Sequence, residues 1–141
     1  MRVTVKAYDD GVADALNSLG DAGEKAAKAA LAAVMPGVAE RARGLAPVQD
    51  VDGGQLRASV RVLRPTKTRD GVAGGVLAGG APLVGQPGGD VYALVQHEDL
   101  TLHHNDGQAK FVERPFLAAQ GPLLASVREH LDREAKKGGG R

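Results

Sequence analysis

The sequence predicts an α+β fold in which a small antiparallel sheet packs against a long kinked helix and a C-terminal helix. Small and apolar residues recur at three- and four-residue steps after Asp21 and again after Arg114, which is typical of helices with one buried face. Two segments between these helices alternate apolar and polar residues, as half-buried strands do. At 141 residues the chain is expected to form a single domain over residues 1–137, with a basic, glycine-rich tail at 138–141.

One strand and two helices are predicted for the first third of the chain. Met1–Tyr8 alternates as a short half-buried strand does, and Val12–Leu19 carries apolar residues on one helical face. The long helix follows, with Asp21 as the expected N-cap. Pro36 should kink or briefly break it, because a proline inside a helix removes a hydrogen bond and costs about 3 kcal/mol. The stripe expected to be buried is Ala26, Ala29, Ala30, Ala33 and Val34.

A β-hairpin is predicted next, followed by an irregular segment. Leu56–Leu63 alternates as a strand does, Pro65–Gly71 holds turn residues, and Val72–Leu77 is the expected return strand. Gly79–Asp90 is too rich in glycine and proline for a regular element, so we expect a flexible loop or arm there.

The remainder is predicted to be mainly helical. Val91–Glu98 is expected to form a short helix or strand, with a preference for a helical turn that leads into a strand near residues 101–103. The final helix starts at Arg114, and Gly121-Pro122 is expected to split or kink its first part.

Composition narrows the functional classes. The net charge of +1, from 18 basic and 17 acidic residues, argues against strong nonspecific nucleic-acid binding, which needs uncompensated basic clusters. The absence of cysteine excludes disulfides, zinc–thiolate sites and thiol catalysis. No apolar run approaches the roughly 18 residues of a membrane span, and the N-terminus lacks the apolar stretch of a signal peptide, so a cytoplasm-like setting is expected. Aromatic residues make up only 3 %, which predicts a thin core that gains stability from partner chains.

Imidazoles and carboxylates cluster between His97 and Asp106. Glu98 follows His97 directly, and His103 and His104 stand side by side. Such groups hold a transition metal or perform acid–base chemistry when a fold brings them together. Their spacing fits no helical metal motif, since HExxH is absent. A solvated or interfacial polar patch is therefore favoured, with no catalytic, metal or cofactor residue assigned, and a small metal-dependent hydrolase that uses this cluster is kept as an alternative.

A basic face is predicted on the hairpin. A solvated strand face and a functional surface explain it about equally well, and a functional surface would meet an acidic partner or line a channel that carries DNA. The glycine-rich segment after the hairpin has neither the lysine nor the spacing of a phosphate-binding loop. The basic residues are Arg57, Arg61, Arg64, Lys67 and Arg69.

Three local patterns occur in order along the chain. Ala46-Pro47-Val48 ends a helix and is followed by Gly54–Val60, Tyr92-Ala93 is followed by His97-Glu98, and Gly107–Leu117 leads into the last helix. In this order and spacing they resemble the gene-ten-product-like family of tailed-phage neck proteins, also called head–tail joining or tail-completion proteins. The resemblance covers nearly the whole chain.

The resemblance implies a non-enzymatic virion subunit of the neck or tail, related in shape to tail-terminator proteins and assembled in the host cytoplasm. Such subunits typically form a homo-hexameric ring, with the head connector or stopper protein on one face and the tail tube protein on the other. Asp99-Leu100 stand where one common form of the pattern has Gly-Thr, so the local turn is expected to differ. A minor capsid component is kept as a further alternative.

Two sets of residues are assigned to this function as hypotheses. Arg57 and Arg61 are expected to face the DNA channel and to make weak, nonspecific contact with phosphates. The hairpin tip and the glycine-rich arm are expected to contact neighbouring subunits or the tail, and no membrane partner is expected. The residues of this second set are Arg64, Lys67, Arg69, Gly80, Pro82, Gln86 and Pro87.

Deleting Gly80–Gly89 is expected to leave the fold intact, because the segment carries no pattern of a regular element, and to reduce the yield of rings or joined particles. Far-UV circular dichroism checks the fold, and electron microscopy counts heads that carry tails. Unchanged joining by the deleted chain would show that the arm makes no necessary contact.

Overall fold

The structure, a computed structural model, describes residues 18–48, 54–69, 71–79 and 89–138, with side chains described except at 89–92. Its two antiparallel strands and two long helices confirm the predicted α+β class. The predicted strand Met1–Tyr8 and most of the predicted helix Val12–Leu19 lie outside the described residues. In chain order the elements are α1 (Asp21–Leu45), α2 (Gln55–Ser59), β1 (Arg61–Thr68), β2 (Gly71–Leu77), α3 (Gly89–Glu98) and α4 (Glu113–Gly138).

The long helix α1 differs from its prediction at its start and at its proline. Gly20 is the N-cap residue instead of Asp21, and no described side chain caps the helix. Asp21 and Glu24 lie in the first turn, where carboxylates interact favourably with the helix dipole. The helix continues through Pro36 without interruption. The sequence predicts a kink or a short break at this proline, and the break is wrong. Pro36 lies on the exposed side, where water can bond the carbonyl that lacks its N–H partner.

A short helix precedes the hairpin where the sequence predicts a strand. Leu56 is buried, and Ser59 Oγ donates to the Leu56 carbonyl oxygen (2.6 Å), as in one turn of helix. Gly54 precedes this helix with a φ of 84°, which favours glycine. The strand prediction is therefore wrong up to Ser59, because four residues of alternation fit one helical turn as well as a strand.

The hairpin extends further than predicted. β1 pairs antiparallel with β2 from Arg61 opposite Leu77 to Thr68 opposite Gly71, which confirms the return strand. The turn predicted to begin at Pro65 is wrong, since this proline lies inside β1. It coincides with an irregularity of the register, where the ladder does not need the N–H that proline lacks.

Gly74 in β2 lets the sheet approach α1 closely. A Cβ atom at Gly74 would lie 3.2 Å from Leu31 Cδ1 of α1, which is a tight contact. A Cβ atom at Gly75 would lie 3.6 Å from Phe116 Cζ of α4, which is ordinary van der Waals contact. Gly74, which weakens the strand in isolation, therefore makes room for a side chain of α1 in the fold.

α1 forms the centre of the fold, with the hairpin and α4 packed against it. A small cluster joins Ala26 and Ala30 of α1 to Val127 and Leu131 of α4. The N-terminal half of α1 thus meets the C-terminal half of α4. Ala33, predicted in the buried stripe, is exposed. The larger core cluster comprises Met35, Val38, Ala39, Ala42, Ala46, Leu56, Val60, Val76, Ala78, Ala93, Phe111, Val112 and Ala119.

The last third of the chain is mainly helical, as predicted. α3 agrees with the helical alternative for Val91–Glu98. The strand predicted near residues 101–103 is wrong, because the Asp99 carboxylate accepts hydrogen bonds from the Thr101 N–H (2.9 Å) and hydroxyl (2.6 Å) and forms a turn. α4 continues through Pro122, which lies on its exposed side. None of the helices described is both long and apolar enough to cross a membrane.

Candidate functional site

The C-terminal end of α1 is the place where the three sequence patterns meet. The Gln108 N–H donates to the Leu45 carbonyl (2.8 Å), and the Val48 N–H donates to the Asp106 carbonyl (3.2 Å). These bonds join the end of α1 to the turn before α4, although the two lie far apart in sequence. We call this region the junction, and it comprises residues 45–48, 54–60, 93–98 and 105–114.

Arg57 closes the junction from α2. Its Nε and Nη2 both donate to the Ala46 carbonyl (3.2 and 2.9 Å), and Nη2 also contacts Asp106 Oδ1 (3.2 Å). The last carbonyl groups of a helix have no donors within the helix, and a guanidinium supplies several in a fixed plane. From α1 itself, Arg43 Nε donates to the Val60 carbonyl (3.0 Å). Both arginines therefore hold the α2 segment against the end of α1.

Gly107 allows the turn before α4 to touch the end of α1. Its φ is 92°, and a Cβ atom there would lie 2.6 Å from Pro47 Cα and 2.7 Å from the Ala46 carbonyl oxygen. No side chain is accommodated at these distances, and the left-handed backbone disfavours every residue that has one. The close approach brings the next N–H, that of Gln108, within reach of Leu45.

The His97 imidazole is fully buried and bonded at both nitrogens. Nε2 accepts the backbone N–H of Glu113 (3.2 Å), so Nδ1 carries the proton and donates to Glu98 Oε1 (2.7 Å). The ring meets the edge of Phe111, with 5.2 Å between centroids and 76° between planes. Burial lowers the pKa of His97, and the opposing effect of Glu98 is smaller. The imidazole is therefore neutral near pH 7.

Lys110 forms ion pairs with the two carboxylates beside His97. Its Nζ pairs with Glu98 and with Glu113 Oε2 (3.0 Å), and these partners raise the pKa of Lys110. In return, Lys110 lowers the pKa of Glu98, with His97 adding a smaller effect. The Lys110 backbone has a positive φ of 58°, and its N–H donates to the His97 carbonyl (2.7 Å). The network thus fixes the end of α3 to the start of α4.

Three residues of this network lie close enough together to be considered as ligands of a metal ion. His97, Glu98 and Glu113 each place one ligand atom within 4.8 Å of the others. The donor set does not fit a metal, because a ligating imidazole offers a free lone pair and the only lone pair of His97 already accepts an N–H. The Lys110 ammonium, moreover, lies on both carboxylates. The arrangement holds elements together instead of presenting ligands.

The other histidines of the predicted cluster lie apart from this network. Within the described ranges, neither His103 nor His104 joins His97 in a group of possible ligands. His103 is exposed, and the ring nitrogens of His104 are buried without a hydrogen-bond partner among the residues the structure covers. Asp106 is engaged with Arg57. The cluster that the hydrolase alternative requires is therefore not brought together.

The two arginines predicted to face DNA bond to backbone carbonyls. Arg57 is held at Ala46 as described, and Arg61 Nη1 donates to the carbonyls of Ser59 (3.2 Å) and Gly79 (2.9 Å). These bonds give both residues a role in positioning the hairpin relative to the junction.

The residues assigned to subunit contacts fall into two groups. On the hairpin, Arg64 and Arg69 are exposed, and Lys67 Nζ pairs with Glu24 (3.0 Å) at the start of α1. Lys67 therefore fastens the hairpin tip to the helix. The remaining residues lie outside those that the structure describes, namely Gly80, Pro82, Gln86 and Pro87.

Sequence reasoning placed Gly107 in a turn, Asn105-Asp106-Gly107, and assigned no role to Lys110 or Glu113. All three lie in the third pattern, Gly107–Leu117, and the opposite charges three residues apart are a usable signal for a local ion pair. The bonds of Lys110 and Glu113 to the more distant His97-Glu98 pair required the structure.

Comparison with known proteins identifies a family that this chain matches. A family described as "Bacteriophage HK97-gp10, putative tail-component" matches residues 10–114. The matched range includes the hairpin and the whole junction up to the first turn of α4. No curated protein and no solved structure matches the chain significantly.

Gly107→Ala is expected to destabilise the fold, because the added Cβ meets the backbone of residues 46 and 47. The positive φ alone costs about 1–3 kcal/mol for a residue with a side chain, and the overlap adds to it. Gly37→Ala, in α1 with open space around it, is the matched control and should be neutral or stabilising by about 0.5–1 kcal/mol. Urea unfolding measures both, and equal midpoints would contradict the close approach.

His97→Gln is expected to flatten the dependence of stability on pH. The unfolded chain takes up a proton at His97 near its ordinary pKa of 6.5, whereas the buried ring resists it, so the unfolded state binds more protons below that pH. Stability therefore falls as the pH decreases through this range in the wild type. Urea midpoints from about pH 8 to about pH 5 test this. Equal slopes in the wild type and in His97→Gln would contradict the neutral, buried ring.

Proposed function

This chain belongs to the bacteriophage HK97-gp10-like family of tail components, and we propose that it acts as a ring-forming neck subunit that joins the phage head to the tail. Family membership supports a structural role in the tail, and therefore a place in the virion. The finer proposal adds a homo-hexameric ring, with the head connector or stopper protein on one face and the tail tube protein on the other.

The observation that best supports a structural role is that the polar side chains of the junction form their hydrogen bonds and ion pairs within the chain. The side chains of Arg57, His97 and Lys110 bond to other residues of the same chain and hold α1, α2, α3 and α4 in place. A catalytic site, by contrast, presents a base or nucleophile to a space that a substrate can enter. Arg57, His97 and Lys110 instead bond to other parts of the same chain and stabilise the fold.

The hairpin supports assembly into a ring. Among the described residues, β1 and β2 pair only with each other, so each keeps an outer edge of backbone N–H and C=O groups. Such edges accept a strand from a neighbouring chain. Copies that contact each other through two different surfaces form a closed ring when the rotation between them divides a full turn.

The basic face of the hairpin supports a position beside DNA. β1 carries Arg61, Arg64 and Lys67, with Arg69 directly after it, and no acidic residue lies between residues 61 and 69. Weak attraction of this kind would let DNA phosphates pass along a channel wall without sequence preference. Arg57 and Arg61 take part in this proposal through their charge, since their donors are largely engaged by carbonyls.

A phage whose gene for this chain carries a nonsense codon tests the proposal. Without the chain, electron microscopy should show filled heads and separate tails, and infectious titre should fall by several orders of magnitude. Supplying the wild-type chain from a plasmid should restore joined particles. Joined, infectious particles without the chain would contradict the proposal, and immunogold label on the head shell instead of the neck would assign the chain to the capsid.

A further inference from the structure

The hairpin has an apolar side chain among its basic residues. Val62 packs against the core, so the neighbouring Arg61 and Leu63 face outward, because successive side chains of a strand point to opposite faces. Leu63 is 39 % exposed, and Arg64 is exposed as well, because the register irregularity between Leu63 and Thr66 interrupts the alternation after Leu63. We call Arg61, Leu63 and Arg64 the basic hairpin face.

The end of α3 carries exposed apolar side chains next to acidic residues, so its charge is opposite to that of the basic hairpin face. Ala93 and His97 are buried, so the outward side of this helix holds the neighbours Leu94 and Val95, with Glu98 four and three residues further along on the same side. Leu94 is 47 % exposed and Val95 is 44 % exposed.

The surface continues into the turn after α3. Leu100 is 70 % exposed, which is a large exposure for a leucine, and Asp99 precedes it. We call the outward residues of α3 together with Asp99 and Leu100 the acidic α3 face.

The carboxylates of the acidic α3 face are ionised at neutral pH. Lys110 and His97 lower the pKa of Glu98, and the Thr101 hydroxyl and N–H lower the pKa of Asp99. Between residues 93 and 114 four carboxylates accompany only Lys110 and Arg114, so the region is net negative. Between residues 61 and 69 every charged residue is basic. The two faces are therefore complementary in charge, and each has exposed leucine at its centre.

We propose that the basic hairpin face of one copy of this chain docks on the acidic α3 face of the next copy, so that Arg61 and Arg64 contact the neighbouring subunit instead of DNA. The inference rests on the proposed function, because it names the surfaces that would form the ring. The two faces differ, so a docked pair keeps one unused face of each kind, one on each copy, and the contact repeats until the ring closes. Leucine against leucine supplies apolar burial, and the surrounding charges set the register and speed the encounter.

Cross-linking tests the contact directly, because the chain has no cysteine of its own. Arg64→Cys and Leu100→Cys place single thiols on the two faces at exposed positions. After treatment with a short bis-maleimide, a mixture of the two single variants should give cross-linked dimers that contain one of each. The double variant should give a ladder of oligomers that ends at the ring.

The matched control moves one of the two cysteines to a position outside both faces. Arg41→Cys, exposed on α1 and outside both faces, should not cross-link to Leu100→Cys. Cross-links between two copies of Arg64→Cys alone would indicate a two-fold contact and overturn the inference.

Charge exchange tests the complementarity independently. Arg64→Glu and Leu100→Lys each place like charges opposite one another and should raise the concentration at which half of the chain assembles about tenfold. The double variant should return it towards the wild-type value, because the charges attract again. Ala33→Lys, exposed on α1, adds the same charge elsewhere and should leave assembly unchanged. Sedimentation velocity measures assembly, and circular dichroism confirms the fold of each variant.

The outcomes separate this inference from the proposed function. Oligomers that form without 64-to-100 cross-links would overturn the inferred contact and leave the ring intact. A wild-type chain that stays monomeric at every concentration would overturn the contact as well, while electron microscopy of particles lacking the chain would still decide the role in joining.

Discussion

The carbonyl groups at the end of α1 have to find donors inside the protein, because Ala46 and Pro47 are buried where the helix ends. Solvent cannot satisfy them there, and an unpaired buried carbonyl costs about 1–3 kcal/mol. The donors come from two distant segments, the Arg57 guanidinium of α2 and the Gln108 N–H of the turn before α4. This requirement explains why the hairpin's leading helix and the C-terminal helix meet at one point.

The polar groups around His97 attach α3 to the start of α4 in a similar way. One buried, neutral imidazole accepts a backbone N–H from the start of α4 and donates to Glu98, while Lys110 forms ion pairs with the carboxylates on either side. Each element of the fold is thereby tied to α1 directly or through one neighbour. A core poor in aromatic side chains gains from such ties, because small residues bury little apolar area each. The polar side chains of the junction therefore stabilise the shape of the protein, and a subunit of a larger assembly requires a stable shape.

How much the sequence could predict depended on the length of each pattern. The 25 residues of α1 and the 26 residues of α4 repeat their helical period often enough to be recognised despite Pro36 and Pro122. The five residues of α2 do not, and their brief alternation imitates a strand. The histidine cluster was visible in the sequence, but spacing could not show that His97 is the buried member. Its partner N–H belongs to Glu113, sixteen residues further along the chain, and only the folded backbone brings the two together.

The proposal that this chain contributes contact surfaces to the phage neck is tested most directly by a reconstruction of the intact neck by electron cryomicroscopy. Density for this chain is expected as a closed ring of copies between head and tail, with each hairpin against the α3 region of its neighbour. Density that places the chain elsewhere in the particle, or a neck fully accounted for by other proteins, would contradict it.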